Sequence, residues 1–551
     1  MKLGCNAAQS FPAPCSRCVR KNLTCSVDPS YKRVPKRGRL EAVEKELKDI
    51  KSRFLSQQQT TSTVNNEFPS RAESNDPLPS RSPSPQEAIP APLLTNKVLG
   101  EVILNPESIT SILECYYQNY HPYFPILPKQ EKLVQSYDQD PILFWVVISI
   151  GSRNTSQYEY MQDTLHGEIK SLISNAHTPA KQSLQLIQAL LLLCYWPFPF
   201  GATANDPSWS YSALSISCAY TKGVHRAEHL SDFEYDATPT SEMIVERKRT
   251  WIACFIVNQR LSSLNGFPPL VTPDHTIQSA VSLQPTWLST PLAQQLYISY
   301  QSFKITSALG NSETQSSGLL PHPTSLIRLF DSDLRGPEPQ YTASTDANAS
   351  SAWQRSETIY LLATKLQLYS FALNLDSPAS TSTPETETLA RSHTAAISLL
   401  QHALQLSPQI TYCPFHTIRY ITYAIFVLFK LIACTAPEEV TDETTSRNLI
   451  ARTWDLFRHA SHDTTDHVSR MCDIIQYLST TRWYDEESPK VRVLSRGTAN
   501  LVVEMIWRAR RRFSLSVRQQ KPKDYTLTAA EEKTWADMQS LFMSFVEEGW
   551  G

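Results

Sequence analysis

Glycine is scarce in this chain, at 14 residues in 551. Loops that cradle phosphate need glycine wherever backbone N–H groups close on the ligand. Neither such a loop nor a G-x-S-x-G turn occurs, so nucleotide and serine-hydrolase chemistries lack their usual sequence supports. No apolar run follows Met1, and no secretory signal is expected. The longest apolar segment, Ile421 to Cys434, is interrupted by Lys430 and is too short to span a bilayer. Alternating strand patterns are few, and no fixed-period repeat points to a solenoid. These absences describe a soluble intracellular protein whose 11 cysteines are thiols. Seven of them, Cys115, Cys194, Cys218, Cys254, Cys413, Cys434 and Cys472, lie among apolar residues and read as core cysteines.

At this length, 41% hydrophobic and 10% aromatic content supplies a large core. The net charge is only −2, but it is unevenly placed. Residues 1–54 hold 13 Lys/Arg against 5 Asp/Glu, a net +8, leaving 38 against 48, a net −10. A basic head on an acidic body implies a polyanionic partner for the head.

The head carries Cys5, Cys15, Cys18 and Cys25 in the spacing C-x9-C-x2-C-x6-C. Tetrahedral zinc takes four thiolates from a short segment that has no core of its own. Lys32, Arg33, Lys36, Arg37 and Arg39 follow. Leu40, Val43, Leu47, Ile50 and Phe54 then recur at alternating steps of three and four, the a/d seam of a coiled coil. In a parallel dimer that register sets Arg39 against Glu44 and Glu46 against Lys51, both pairs opposite in sign. The alternative is one amphipathic helix packed on its own chain. Residues 56–95, rich in Gln, Ser, Thr and Pro, read as a disordered tether.

From about Asn105 helical periodicity takes over, in Ser108–Tyr120, Ile142–Gly151, Leu184–Trp196, Trp209–Gly223, Val245–Leu264, Ile359–Leu373, Ala390–Leu404, Ile418–Cys434 and Ala499–Phe513. Gly336–Ser351 and Asp376–Glu387 read as loops between helices. Arg508, Arg510, Arg511 and Arg512 form a second basic cluster, read as a charged helix end that suits the macrodipole. Leu541–Trp550 reads as a last core helix or an acidic activation segment.

The order of cysteines, basic linker and heptads resembles the six-cysteine binuclear zinc cluster of fungal transcription regulators, whose pattern is C-x2-C-x6-C, a loop, C-x2-C and a last cysteine six to eight residues on. The body carries its own resemblance, to the middle homology region downstream of such clusters. It lies in His121-Pro122-Tyr123-Phe124-Pro125-Ile126, Gln188–Pro199 (QALLLLCYWPFP), Asp206–Arg226 (DPSWSYSALSISCAYTKGVHR) and Glu246–Pro269 (ERKRTWIACFIVNQRLSSLNGFPP). Within the family the chain looks closest to the branch containing the fungal regulator of leucine biosynthesis.

The resemblance implies two zinc ions held by six thiolates, the first and fourth bridging. Cys5 would be the third ligand, Cys15 the bridging fourth, Cys18 the fifth and Cys25 the sixth. The first two are missing, so neither site closes within this sequence. Met-Lys-Leu-Gly-Cys resembles the end of the family's first helix, and Met1 is therefore expected to be an internal methionine of a longer reading frame. Lys2 takes the place from which a family lysine reaches the N7 and O6 acceptors of guanine, while Gly4 replaces a frequent basic residue. Arg17, Arg20, Lys21, Lys32, Arg33, Lys36, Arg37 and Arg39 are then expected phosphate contacts, which position the protein and make binding salt-dependent.

The expected fold is mostly α: a partial zinc cluster over 1–31, a basic linker over 32–39, a short parallel coiled coil over 40–57, a disordered linker over 58–100 and a large all-helical regulatory domain over 101–551. The expected function is sequence-specific transcription regulation in the nucleus, as a homodimer on paired CGG-type half-sites, with zinc as cofactor, a small-molecule effector and no membrane partner. The alternative is a truncated, dimerising cofactor or decoy that does not bind DNA. A third reading, a zinc hydrolase, rests on His225-Arg-Ala-Glu228-His229, which fits H-x-x-E-H but follows Gly223 at an expected helix end.

Overall fold

The computed structural model describes residues 16–21, 95–175, 178–200, 205–234, 238–335, 351–373, 383–433, 442–461, 466–480 and 493–519. They fall in two units, Met1–Ala88 and Ile89–Gly551. In the first, the described element is the helix Ser16–Lys21 (α1). The expected coil residues Leu40, Val43, Leu47, Ile50 and Phe54, the tether and Leu541–Trp550 lie outside the described residues.

The second unit opens with a hairpin, Lys97–Leu99 (β1) and Val102–Leu104 (β2), antiparallel with Val98 opposite Ile103. It begins ahead of position 101, where the sequence placed the start of the body. Lys97 ties it down, with Nζ 3.9 Å from the Tyr137 ring centroid and 3.9 Å from Asp138. Helices follow in the order Pro106–Asn119 (α2), Gln130–Gln135 (α3), Ile142–Gly151 (α4), Gln162–Ser174 (α5), Leu184–Tyr195 (α6), Ser208–Thr221 (α7), Ser241–Asn265 (α8), His275–Leu283 (α9), Thr290–Leu309 (α10) and Thr324–Arg335 (α11). Ala352–Leu373 (α12), Thr383–Leu404 (α13), Phe415–Ala433 (α14), Glu443–Ala460 (α15), His467–Thr480 (α16) and Asn500–Gln519 (α17) complete the set.

Local chemistry fixes several of these ends. Asn105 caps α2, its Oδ1 accepting from Ser108 N at 2.8 Å with Pro106 in the first turn. Ser183 caps α6 by accepting from Leu186 N at 2.9 Å. At the end of α8, Gly266 takes φ +67 and donates its N–H to the Ser262 carbonyl. A side chain there would also place Cβ 1.9 Å from the Arg496 carbonyl oxygen.

Five helices are buried nearly all round over much of their length: α4, α6, α8, α12 and α14. A helix without a polar stripe belongs inside. They form one apolar core in which α6 packs on α4, α7 and α8, α8 on α10, α10 on α12, and α12 on α13 and α14. Helix α14 spans 19 residues and by length and composition is able to cross a bilayer, unlike the shorter run taken from the sequence. Here it is a core helix, buried against α12, α13, α16 and α17.

Three sequence expectations change. The segment Asp376–Glu387 is not wholly loop, since α13 starts at Thr383 with proline second, where its missing N–H costs nothing. Helix α17 runs on to Gln519, so Arg508 and Arg510–Arg512 lie in mid-helix and the macrodipole does not explain them. Arg508 instead holds Glu504 one turn back, Nε to Oε1 at 2.9 Å, and Glu504 also takes Lys430 Nζ of α14 at 2.8 Å. Seven helices, α3, α5, α9, α10, α11, α15 and α16, escaped the periodicity reading. In α10 the reason is plain, because Gln295, Ser299, Gln301 and Ser302 are buried polar residues that break the apolar pattern.

Candidate functional site

Of the expected zinc ligands, Cys18 lies half-buried on α1, and Cys5, Cys15 and Cys25 lie outside the described residues. Arg17, Arg20 and Lys21 share that short helix, with Arg20 exposed. Lys2, Lys32, Arg33, Lys36, Arg37 and Arg39 lie outside the described residues. Among the described residues no group of three His, Cys, Asp or Glu side chains is arranged to hold a metal.

The H-x-x-E-H segment does not form the helix that the hydrolase reading requires. Helix α7 stops at Thr221, Gly223 turns left-handed at φ +62, and Val224–Asp232 is 3-10 with breaks at Arg226 and His229. Without α-helical spacing the two imidazoles do not share a helical face. His225 sits among the rings of Tyr220, Phe233 and Trp251 at 4.9, 5.4 and 5.9 Å, and Glu228 pairs with Lys248 Nζ at 2.5 Å. His229 is exposed.

Three of the four resemblance segments of the body converge instead on one buried polar hub. Arg260 of α8, from the RLSSLNGFPP stretch, is 2% exposed. Its Nη1 donates to His416 Nε2 of α14, and its Nη2 donates to Glu357 Oε2 of α12 at 3.4 Å. Its guanidinium lies 4.0 Å from the Tyr360 ring centroid and 5.4 Å from that of Tyr195. Tyr195, from the QALLLLCYWPFP stretch, donates to Gln295 Oε1 at 2.7 Å, and Gln295 Nε2 donates to the Tyr123 carbonyl at 2.7 Å. Phe124, next along the His121–Ile126 stretch, stacks on Tyr195 at 3.8 Å. Ser299 meets the Tyr360 hydroxyl at 3.0 Å, and Tyr360 stacks on Tyr420 at 5.3 Å.

Burial pushes the Glu357 carboxyl up to about 7, with Arg260 and a hydrogen bond from Gln295 pulling it part of the way back. Burial, Arg260 and Arg419 together hold His416 well below its ordinary range. His416 is therefore neutral and accepts from Arg260 through Nε2. One guanidinium, a carboxyl poised near neutrality and a neutral imidazole thus join α8, α12 and α14.

The same stretch of α8 fixes the chain beyond it. Asn258 Oδ1 accepts from Leu270 N at 2.7 Å, Ser262 Oγ donates to the Phe267 carbonyl at 2.6 Å, and Thr498 Oγ1 donates to the Ser263 carbonyl at 2.6 Å. Trp196 Nε1 donates to the Tyr412 carbonyl at 3.0 Å, while the Trp196 and Pro197 carbonyls accept from Arg153 at 2.9 and 3.0 Å. Beyond the hub, a cavity of ≈ 40 Å³ lies between the end of α8 and helices α14, α16 and α17, with Arg419 and His467 in its wall. Sequence reasoning singled out the stretch containing Arg260 but not Glu357 or His416, which lie 97 and 156 residues further on in unremarkable contexts.

Residues 113–387 match the fungal specific transcription factor domain, a span that includes all four resemblance segments and the Arg260–Glu357 pair. The putative transcription factor SEF1 of Kluyveromyces lactis is 25% identical over 492 residues, covering 83% of this chain and 42% of its own. The transcriptional regulatory protein SEF1 of Candida albicans is 24% identical over 601 residues, covering 93% and 63%. The regulatory protein LEU3 of Saccharomyces cerevisiae is 24% identical over 350 residues, covering 51% and 39%. The chain thus spans less than two thirds of the length of each of these relatives. With its helical architecture, its convergent segments and these relatives in agreement, the chain carries the fungal specific transcription factor domain over residues 113–387.

Proposed function

We propose that this chain is a sequence-specific, DNA-binding regulator of transcription by RNA polymerase II, acting in the nucleus and governing a metabolic or secondary-metabolite gene set. The observation that carries this reading is the family match over residues 113–387 downstream of a head ordered as cysteines, basic linker and heptads. Relatives named as transcription factors favour the same reading. In it Cys5, Cys15, Cys18 and Cys25 hold zinc, whose preference for thiolates they suit. Arg17, Arg20, Lys21, Lys32, Arg33, Lys36, Arg37 and Arg39 lie along the phosphates, Lys2 faces base edges, and Leu40, Val43, Leu47, Ile50 and Phe54 pair two copies. The body receives an effector, and no catalytic step is assigned to it.

The test uses the full chain on a duplex bearing paired CGG-type half-sites, with zinc measured by elemental analysis. Binding that needs zinc, weakens steeply with salt and disappears in a C15S/C18S variant supports the proposal. A dimer that carries no zinc and ignores the duplex supports the cofactor or decoy reading instead.

A further inference from the structure

We propose that the cavity between α8, α14, α16 and α17 is a binding site for a small carboxylate, held by Arg419 and His467. Arg419 of α14 reaches the end of α8, where its Nη2 donates to the Leu264 carbonyl at 3.2 Å and to Asn265 Oδ1 at 2.7 Å. Those neutral oxygens cap α8 but do not balance a full charge. Among the described residues no carboxylate pairs with Arg419. Asp206 is the acid whose field it feels, and Asp206 accepts from Ser208 N at 2.9 Å. A guanidinium in the wall of a cavity with no carboxylate in contact among the described residues is a receptor for an anion.

A second group points the same way. His467, at the start of α16, is 8% exposed, and its Nδ1 has no hydrogen-bond partner among the described residues. Its ring is fixed against Phe200 at 5.7 Å and Phe415 at 5.0 Å. Burial, Arg419 and Arg470 push its pKa down to about 3, so the imidazole is neutral and carries a single N–H. A planar carboxylate accepts from a guanidinium and an imidazole N–H together. The rest of the wall carries Asn265 and Thr422 but is otherwise apolar, with Met471, Val503 and Ile506, and suits a short alkyl tail. The volume of ≈ 40 Å³ corresponds to about three waters, which limits the occupant to a carboxylate of a few carbons.

The site gives a chemical class to the effector and rests on the regulator reading for its purpose alone, since binding here is measured without DNA. The experiment is saturation-transfer NMR on the full chain, with acetate and propanoate as probes and acetamide as the uncharged isostere. Transfer to both carboxylates and none to acetamide is expected. The R419Q variant should bind about 10-fold to 100-fold more weakly. Because R419Q also loosens the α8 cap, V503F is the second variant. It fills the cavity from its half-buried rim and should abolish transfer with the melting profile retained. No transfer to either carboxylate, equal transfer to acetamide, or transfer undiminished in V503F would overturn the proposal and leave the DNA-binding test untouched.

Discussion

At the scale of single residues, the buried charge of Arg260 depends on the state of Glu357. Above pH 7 the carboxyl is ionised and balances the guanidinium; well below that it is neutral. Replacing Glu357 by Gln should therefore cost less than about 1 kcal/mol at pH 5.5, where Gln nearly copies the protonated acid, and become stabilising by about 1–2 kcal/mol at pH 8, where folding must hold the wild-type carboxylate ionised although burial favours its neutral form. Urea unfolding at the two pH values checks this, and an equal effect at both would show that folding does not raise the Glu357 pKa. Gly266→Ala tests the left-handed turn after α8. It should lose more than about 1 kcal/mol, since φ +67 and the approach of the Arg496 carbonyl both oppose a side chain. The sequence displayed the importance of the Arg260 stretch but not its partners. A buried ion pair between residues 97 positions apart leaves no local periodicity to read.

At the scale of elements, the helices with continuous apolar faces were legible and those with buried polar faces were not. Helix α10 illustrates why: Gln295 lies at 0% exposure because it bridges Tyr195 and the Tyr123 carbonyl, and in sequence it looks like a solvent residue. Gln295→Leu should leave both partners unsatisfied and lower stability by about 2–6 kcal/mol, read as a fall in the urea midpoint at unchanged slope. Caps were partly legible. Thr240 precedes α8 and its Oγ1 accepts from Met243 N at 3.3 Å, so Thr240→Ala should cost about 1 kcal/mol. The start of α13 was hidden because a Thr-Pro-rich segment reads as loop whether or not a helix begins inside it.

At the scale of the whole molecule, buried histidines set the response to acid. His166 and His467 are pushed down to about 3, and His416 well below its ordinary value, all three chiefly by burial. Groups whose pKa is lowered on folding support the native state fully above their unfolded value near 6.5 and withdraw that support as pH falls. His166 and His467 should each cost about 2 kcal/mol by pH 5, and His416 acts in the same direction. Glu357, raised on folding, acts oppositely: its contribution is complete below the unfolded value near 4.5 and is lost as pH rises through about 7. Three histidines outweigh one carboxyl, so the urea midpoint should fall between pH 6.5 and 5, and a flat or rising profile would contradict the burial of these rings.

The position of α14 also bears on how the chain is made. Nineteen apolar-rich residues emerging from a ribosome resemble cargo for a membrane-insertion pathway. Helices α12 and α13, its most extensive neighbours, precede it in the chain, so the faces that bury α14 are synthesised before it appears. A permuted gene that synthesised α14 ahead of them would present the same helix unsheltered, and its product would be exposed to mistargeting and aggregation before any tertiary contact could form.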